Sequence, residues 1–242
     1  MISGRARVTA LVLGACALAA LGAAAIWRKR AAPPLPYASQ RPALLLLSSL
    51  PLVFGEDFSL QGGGSPAYEA LKARYRVVPI SVTDGADLAK GRLLLMAQPL
   101  AQTAENLVML DEWVRRGGRV LLFADPMLEW PSQRPLGDPL RPPPTFGDTG
   151  LLAHWGLRLD GPERRRAEQR QLGGRDVLTV SPGSLWGRCE IAGDRLVARC
   201  KLGKGEAIVV ADADLLDVDD LGRAAKQNLD AVLEELARLE QK

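Results

Sequence analysis

The chain has 242 residues, 47% hydrophobic and 24% charged, which supplies apolar material for one sizeable core and excludes a disordered or collagen-like polymer. Its net charge of +3 is unevenly placed: residues 1–30 hold Arg5, Arg7, Arg28, Lys29 and Arg30 and no acid, leaving 26 basic against 28 acidic side chains in the remainder. A body so close to neutral argues against nucleic acid as a partner, because phosphate backbones demand a basic face.

The first element is "VTALVLGACALAALGAAAIW", Val8 to Trp27, twenty residues without a charge. As a helix it would span about 30 Å, the hydrocarbon thickness of a bilayer, with Trp27 at the interface and Arg and Lys among the headgroups. The sequence therefore predicts a short tail (residues 1–7), a transmembrane helix (8–27) and a single-pass anchor in the inner membrane. A cleaved signal peptide competes with this reading; against it, the run is long for an h-region and no small-x-small site precedes polar chain. "LGAC" would fit a lipidation box at Cys16, but eleven more apolar residues follow that cysteine. The flanking cations nearly cancel under the positive-inside rule. "RKRAAPPLPYASQRP", Arg28 to Pro42, is Pro-rich and aperiodic and reads as an extended tether.

From residue 43 onward, strands alternate with helices. "ALLLLSSL" (Ala43–Leu50) suits a strand covered on both faces. Ser65 is placed to cap a helix with Pro66 at its first position. "RVVPI" (Arg76–Ile80) reads as an edge strand, since Pro79 cannot donate to a ladder. "RLLLMA" (Arg92–Ala97) follows, then a helix capped by Thr103 with Leu107, Leu110 and Val114 on one face. Gly117-Gly118 ends that helix, and "RVLLFA" (Arg119–Ala124) is the next strand. Such alternation means βαβ units and a mostly parallel sheet. Asp125 to Asp148 carries seven prolines, too long for a mere connector, and reads as a lid, a contact surface or a wrap. A short helix capped by Asp148 or Thr149 stops at Gly156. Residues 176–201 read as three short antiparallel strands, "EAIVVADADLL" (Glu206–Leu216) as a last buried strand and "AAKQNLDAVLEELARLEQK" as a closing amphipathic helix. "CEIAGDRLVARC" forms a hairpin; with its turn centred on Asp194-Arg195, Cys189 and Cys200 fall opposite each other, close to disulfide reach. Two buried free thiols are the other reading. A disulfide would place the body outside the cytoplasm, on the periplasmic side.

"LDEWVRRGGRVLLFADP", "LLAHWGLRLD" and "GKGEAIVVADADLLD" followed by "NLDAVLEEL" occur in this order. Together they resemble the amidotransferase-like domains of bacterial ABC-transporter auxiliary proteins, including the gliding-motility Gld type, and related membrane-anchored proteins. The resemblance covers about residues 43–240 by organisation. It implies a flavodoxin-like α/β sheet of the class I glutamine amidotransferase type over residues 43–242, here with an antiparallel hairpin insertion, working beside the membrane subunits of an export or envelope machine. It does not imply catalysis, since members of this group commonly lack the amidotransferase triad.

That chemistry needs a thiolate at a strand-to-helix elbow, a His to deprotonate it and an acid to orient the His. Cys16 falls in the apolar run, and Cys189 and Cys200 fall on a hairpin. The one histidine, His154, sits in a short apolar helix, and Ser48 and Ser49 lack the Gly-x-Ser-x-Gly elbow. No catalytic residue, metal or cofactor is expected. Were a small molecule bound, it would sit at the mouth of the sheet, where open α/β sheets bind ligands. The candidates there are Gly62, Gly63, Gly64 and Ser65, whose backbone N–H groups suit a phosphate, with Asp125, Asp212 and Asp214 as carboxylates for a metal or substrate. The competing reading is a flexible turn and strand-end acids, with the later aspartates of "DADLLDVDD" capping the final helix. "ERRRAEQR" (Glu163–Arg170) reads as a solvated face suited to anionic lipid. Trp130 and Trp155 flank the Pro-rich loop and would mark a partner interface if exposed. The function expected from the whole is a non-catalytic, anchored partner-binding domain, with a carboxylate-using enzyme as the alternative.

Overall fold

Six consecutive apolar or small residues at the start of the body cannot face water on either side, and they form the second strand of a seven-stranded sheet. The computed structural model describes residues 41–55, 64–217 and 222–241, so the run Val8–Trp27, the Pro-rich stretch before Arg41, Cys16, Gly62 and Gly63 lie outside the described residues. Among the described residues no helix is long and apolar enough to cross a membrane.

The strands of the main sheet are β1 (Ala43–Ser48), β2 (Arg76–Pro79), β3 (Leu93–Ala97), β4 (Arg119–Phe123), β9 (Glu190–Ile191), β10 (Val197–Leu202) and β11 (Gly205–Val210). Their order is β2-β1-β3-β4-β11-β10-β9. The first five run parallel, β10 is antiparallel to β11, and β9 is antiparallel to β10. β3 and β11 are buried at every position, as a strand covered on both faces must be. Pro79 falls on the edge strand β2, where its missing N–H breaks no ladder. Helices α1 (Pro66–Arg74) and α5 (Arg223–Glu240) pack together, as do α2 (Gly85–Leu88) and α3 (Ala104–Arg115). Right-handed crossovers put these two pairs on opposite faces of the sheet. Each fully buried Leu of β1, β3 and β4 contributes about 1.5–3 kcal/mol by burial.

The punctuation between elements is chemically explicit. Ser65 Oγ accepts from Tyr68 N–H at the start of α1, and Thr103 Oγ1 does the same for Asn106 N–H at α3. The two glycines after α3 serve different ends. Gly117 takes φ +118°, which terminates the helix, whereas a Cβ on Gly118 would lie 2.2 Å from the Trp113 ring. Helix α4 (Leu151–His154) begins after Gly150, yet Asp148 Oδ1 accepts from both Gly150 and Leu152 N–H. Asp148 is thus the capping group from two residues further out.

Downstream of α4 the sequence reading needs correction. Residues 176–201 span four strands rather than three, and those strands do not form one antiparallel set. β6 (Ala167–Leu172) and β7 (Arg175–Val180) make a separate hairpin on a Gly173-Gly174 turn, both glycines with positive φ. β8 (Ser184–Gly187) pairs with β5 (Leu157–Asp160). "ERRRAEQR" is therefore half strand, and Glu168 bridges Arg166 and Arg170 rather than leaving them free. The cysteine hairpin is the edge of the main sheet, not an insertion. The pairing of Ile191 with Ala198 and Glu190 with Arg199 sets Cys189 opposite Cys200, which are joined by a disulfide with Cα atoms 4.8 Å apart. It staples the two-residue strand β9 to β10. The Asp219 and Asp220 expected to cap α5 lie outside the described residues, and the cap position is Gly222, with no side-chain bond.

Closing an 11-residue separation constrains the unfolded chain by about 3 kcal/mol. The Cys189→Ser/Cys200→Ser protein is expected to unfold at lower urea with its stability reduced by about 2–4 kcal/mol. Dithiothreitol should produce the same shift in the wild type and none in the variant.

Candidate functional site

The C-terminal ends of the parallel strands are where this architecture presents chemistry. Three of the candidate carboxylates meet there: Asp125 follows β4, Asp212 follows β11, and Asp214 opens a 3-10 turn (Asp214–Leu216). All three are buried. Their oxygens are turned onto backbone N–H groups rather than into a cleft. Asp125 accepts from Met127 N–H at 2.8 Å and Ala213 N–H at 2.7 Å. Asp212 accepts from Val180 and Leu215 N–H, both at 2.8 Å, and Asp214 accepts from Glu129 N–H at 2.8 Å. Each aspartate ties one segment to another: β4 to β11, β11 to β7, the 3-10 turn to the Pro-rich loop.

The Pro-rich stretch that follows Asp125 has no helix or strand before α4, and it lies across this mouth. Phe146 N–H donates to Asp125 O, and Leu128 N–H to Pro144 O. The sequence reading passed over Gln98, which does most to hold it. Gln98 is buried at the end of β3 with φ +44°, a strained value for a residue with a Cβ. Its Nε2 donates to Asp125 O and Pro143 O, both at 3.1 Å, and its Oε1 accepts from Asp125 N–H at 2.9 Å. A polar residue directly after a strand of wholly apolar character, and before Pro99, was the available signal. Ser181, also buried with φ +49°, donates from Oγ to Glu129 Oε1 at 2.6 Å.

Removal from water is the main influence on these carboxyls. Burial pushes Asp125 up to about 6 against the pull of the Ala213 and Met127 N–H groups, with the Glu129 charge adding to the rise. Burial pushes Asp214 up to about 7, opposed by Glu129 N–H and helped by the charges of Asp125, Glu129 and Asp217. Asp212 is raised well above the usual range by burial and by the charges of Asp125 and Asp214.

The remaining candidates are dispersed. Gly64 packs its backbone against Leu52 and Tyr68, where a Cβ would meet the Tyr68 ring at 2.3 Å, and Ser65 N–H donates to Leu52 O. Ser65 Oγ is occupied in capping α1. Ser48 Oγ accepts from Leu50 N–H, and Ser49 Oγ donates to Gln98 O. His154 is exposed and lies 3.3 Å from Asp111 Oδ2, which also accepts from Arg115 Nε. Trp155 is not exposed as a partner contact would require: it is buried, with Nε1 donating to Asp111 Oδ1 at 3.0 Å. Trp130 is half-buried against the core. Neither disulfide cysteine stands at a strand-to-helix elbow. Among the described residues no group of three His, Cys, Asp or Glu side chains has the arrangement to hold a metal.

The apolar surface lies elsewhere. A groove of about 410 Å³ runs between α3 and α4, lined by Ala104, Leu107, Val108 and Leu151, with Asp111 and His154 at its edge. Val108 and Met109 are exposed on α3, and Leu136 and Leu140 on the Pro-rich loop.

Compared with known proteins, residues 41–162, about half of the chain, match the family described as "ABC-type uncharacterized transport system". No curated protein matches. Among solved structures, the mmIFT52 N-terminal domain is 14% identical over 81% of this chain and 97% of its own, with a TM-score of 0.50. The exo-β-1,4-mannosidase Op5Man5 from Opitutaceae bacterium strain TAV5 is 14% identical over 78% of this chain, with a TM-score of 0.47. The β-galactosidase from Bacillus circulans sp. alkalophilus is 16% identical over 83%, with a TM-score of 0.48. The chain spans 35% and 31% of those two enzymes. At such identities the likeness is one of fold.

Two outcomes follow for the mouth. Asp125→Ala strands the Met127 and Ala213 N–H groups and is expected to cost about 2–5 kcal/mol in urea unfolding. The folded carboxyls of Asp125 and Asp214 hold their protons to about 6 and about 7, against 3.8 for the ordinary group. The native state therefore binds more protons than the unfolded state across that window, and their contribution to stability, complete below pH 3.8, is lost as pH rises through about 6 to 7. Unfolding free energies measured from pH 4 to pH 8 should show this fall, and Asp214→Asn should flatten it.

Proposed function

Because the chain belongs to the ABC-type uncharacterized transport system family, we propose that it is a non-catalytic, membrane-anchored binding domain seated beside the membrane subunits of an ABC-type exporter, on the periplasmic side. The observation that carries the reading is the stapled mouth: the place where this sheet would bind a ligand is filled by its own loop, and its carboxylates are committed to backbone N–H groups. The sheet is of the amidotransferase type without the thiol that the chemistry needs at its elbow. What the surface offers instead is the apolar groove beside α3, lined in part by exposed Val108, with Met109 exposed next to it on the same helix, which suits an apolar ridge on a partner subunit.

Anchoring is supported by the uncharged run Val8–Trp27, and the outer side by the Cys189–Cys200 disulfide, which persists in an oxidising compartment. A carboxylate-using enzyme would instead need oxygens free to reach a substrate.

Affinity purification of the full chain from detergent-solubilised membranes tests the reading. Permease or ATPase subunits of one transporter are expected to co-purify, and Val108→Glu/Met109→Glu should reduce their recovery at least about tenfold without moving the urea midpoint. Recovery of the chain alone, or unchanged recovery from the variant, would contradict it.

A further inference from the structure

The body's near-zero net charge conceals a separation. All five parallel strands begin at one end of the sheet, where register places Arg76 beside Ala43 and Leu93 beside Arg119. The β10–β11 turn lies in the same row, and its Lys204 N–H donates to Arg115 O. Arg76, Arg92, Arg119, Lys201 and Lys204 therefore share this end, and all but the half-buried Arg119 are exposed. The carboxylates of Asp125, Asp212 and Asp214 stand at the other end, one strand length away, about 17–20 Å. That exceeds the screening length of about 8 Å at physiological salt, so those three acids do not neutralise the basic end; within the row itself the buried Glu206 is one acid against five cations.

A structural reason accounts for part of this charge. Lys72, Arg74 and Arg115 lie in the last turns of α1 and α3, where cations complement the helix dipole. Lys72 and Arg115 are further paired with Glu69 and Asp111. That account does not reach Arg76, Arg92, Arg119, Lys201 and Lys204, which stand at strand starts and a hairpin turn. Glu206 is the register neighbour of both Arg119 and Lys201, whereas Arg76, Arg92 and Lys204 have no carboxylate partner among the ion pairs of the described residues. Arg92 and Arg119 border a hollow of about 270 Å³ floored by Pro42, Ala43, Leu93 and Leu239, with Glu240 at its rim.

The chain also enters the fold here. Arg41 donates to Lys72 O, Arg76 N–H donates to Pro42 O, and β1 starts at Ala43. The residues preceding Arg41, with the uncharged run in their sequence, therefore join the body at its basic end.

We propose that this end of the sheet is a docking face for anionic phospholipid headgroups, with the Arg92–Arg119 hollow taking a lipid phosphate. The proposal rests on the reading of the chain as membrane-bound. It adds an orientation: the strand starts rest on the lipid surface, and the mouth and the α3 groove are held where a neighbouring subunit reaches them.

Lysine acylation read by mass spectrometry tests it on the full chain in vesicles. Lys201 and Lys204 report on the basic end, and Lys226, exposed near the start of α5, reports on the far end. In phosphatidylcholine vesicles containing phosphatidylglycerol, Lys201 and Lys204 are expected to react at least about fivefold more slowly than in pure phosphatidylcholine. Lys226 should be unchanged, and the protection should vanish at about 1 M salt. Arg76→Gln/Arg92→Gln/Arg119→Gln should abolish the protection, whereas Arg164→Gln/Arg165→Gln/Arg166→Gln should preserve it. Equal rates in the two lipids, or protection of Lys226 instead, would overturn the docking face. Flotation with pure phosphatidylcholine vesicles reports separately on the anchor. If the chain does not float with them, the anchor fails, and the face stands only if anionic vesicles retain the chain with Lys201 and Lys204 protected.

Discussion

The structure depends on a set of buried side-chain oxygens that accept from main-chain N–H groups across the ends of β3, β4 and β11. An open α/β sheet leaves N–H and C=O groups unpaired where its strands stop, and burying them without partners costs about 1–3 kcal/mol each. Asp125, Asp212, Asp214 and Gln98 meet that need from within the chain. In doing so they hold the Pro-rich loop down and couple the β6–β7 hairpin to the sheet. Asn228 extends the arrangement: its Oδ1 accepts from Leu178 N–H and its Nδ2 donates to Leu178 O, so α5 caps the free side of β7. The same location that would serve a ligand in a related architecture is here given to stability.

That use of the mouth bears directly on function. Catalytic carboxylates need oxygens that reach substrate, and these are spent on the backbone. The two faces proposed for interaction, the apolar groove beside α3 and the basic end of the sheet, differ in chemistry as a protein partner and a lipid surface differ.

Much of this was legible in the residues. Alternating apolar runs and capped helices gave the parallel sheet, Pro79 its edge, and the symmetric spacing of Cys189 and Cys200 about Asp194-Arg195 their pairing. These are local rules, in which period, cap and turn chemistry act within a few residues. The carboxylates were picked out by sequence, but their partners lie 85 to 88 residues away for Asp214–Glu129 and Asp125–Ala213, which no local pattern specifies. Gln98 was missed for the same reason. Trp155 was read by its neighbours along the chain rather than by Asp111, which buries and bonds it. Within residues 176–201 the two-residue strand Glu190–Ile191 is too short to show a period, and "AEQRQL" just before them carries little apolar alternation. Net charge, being a sum, erased the segregation that register restores.

The account stands or falls on whether the mouth stays shut, and native-state hydrogen exchange measures this at the N–H groups concerned. The amides of Met127, Glu129, Val180, Ala213 and Leu215 are expected to exchange only by global unfolding, with the same denaturant dependence as the core of β3 and β4. Rapid exchange of these amides through a local opening that leaves the sheet protected would show the loop to be a moving lid over a usable site, and would contradict the non-catalytic reading.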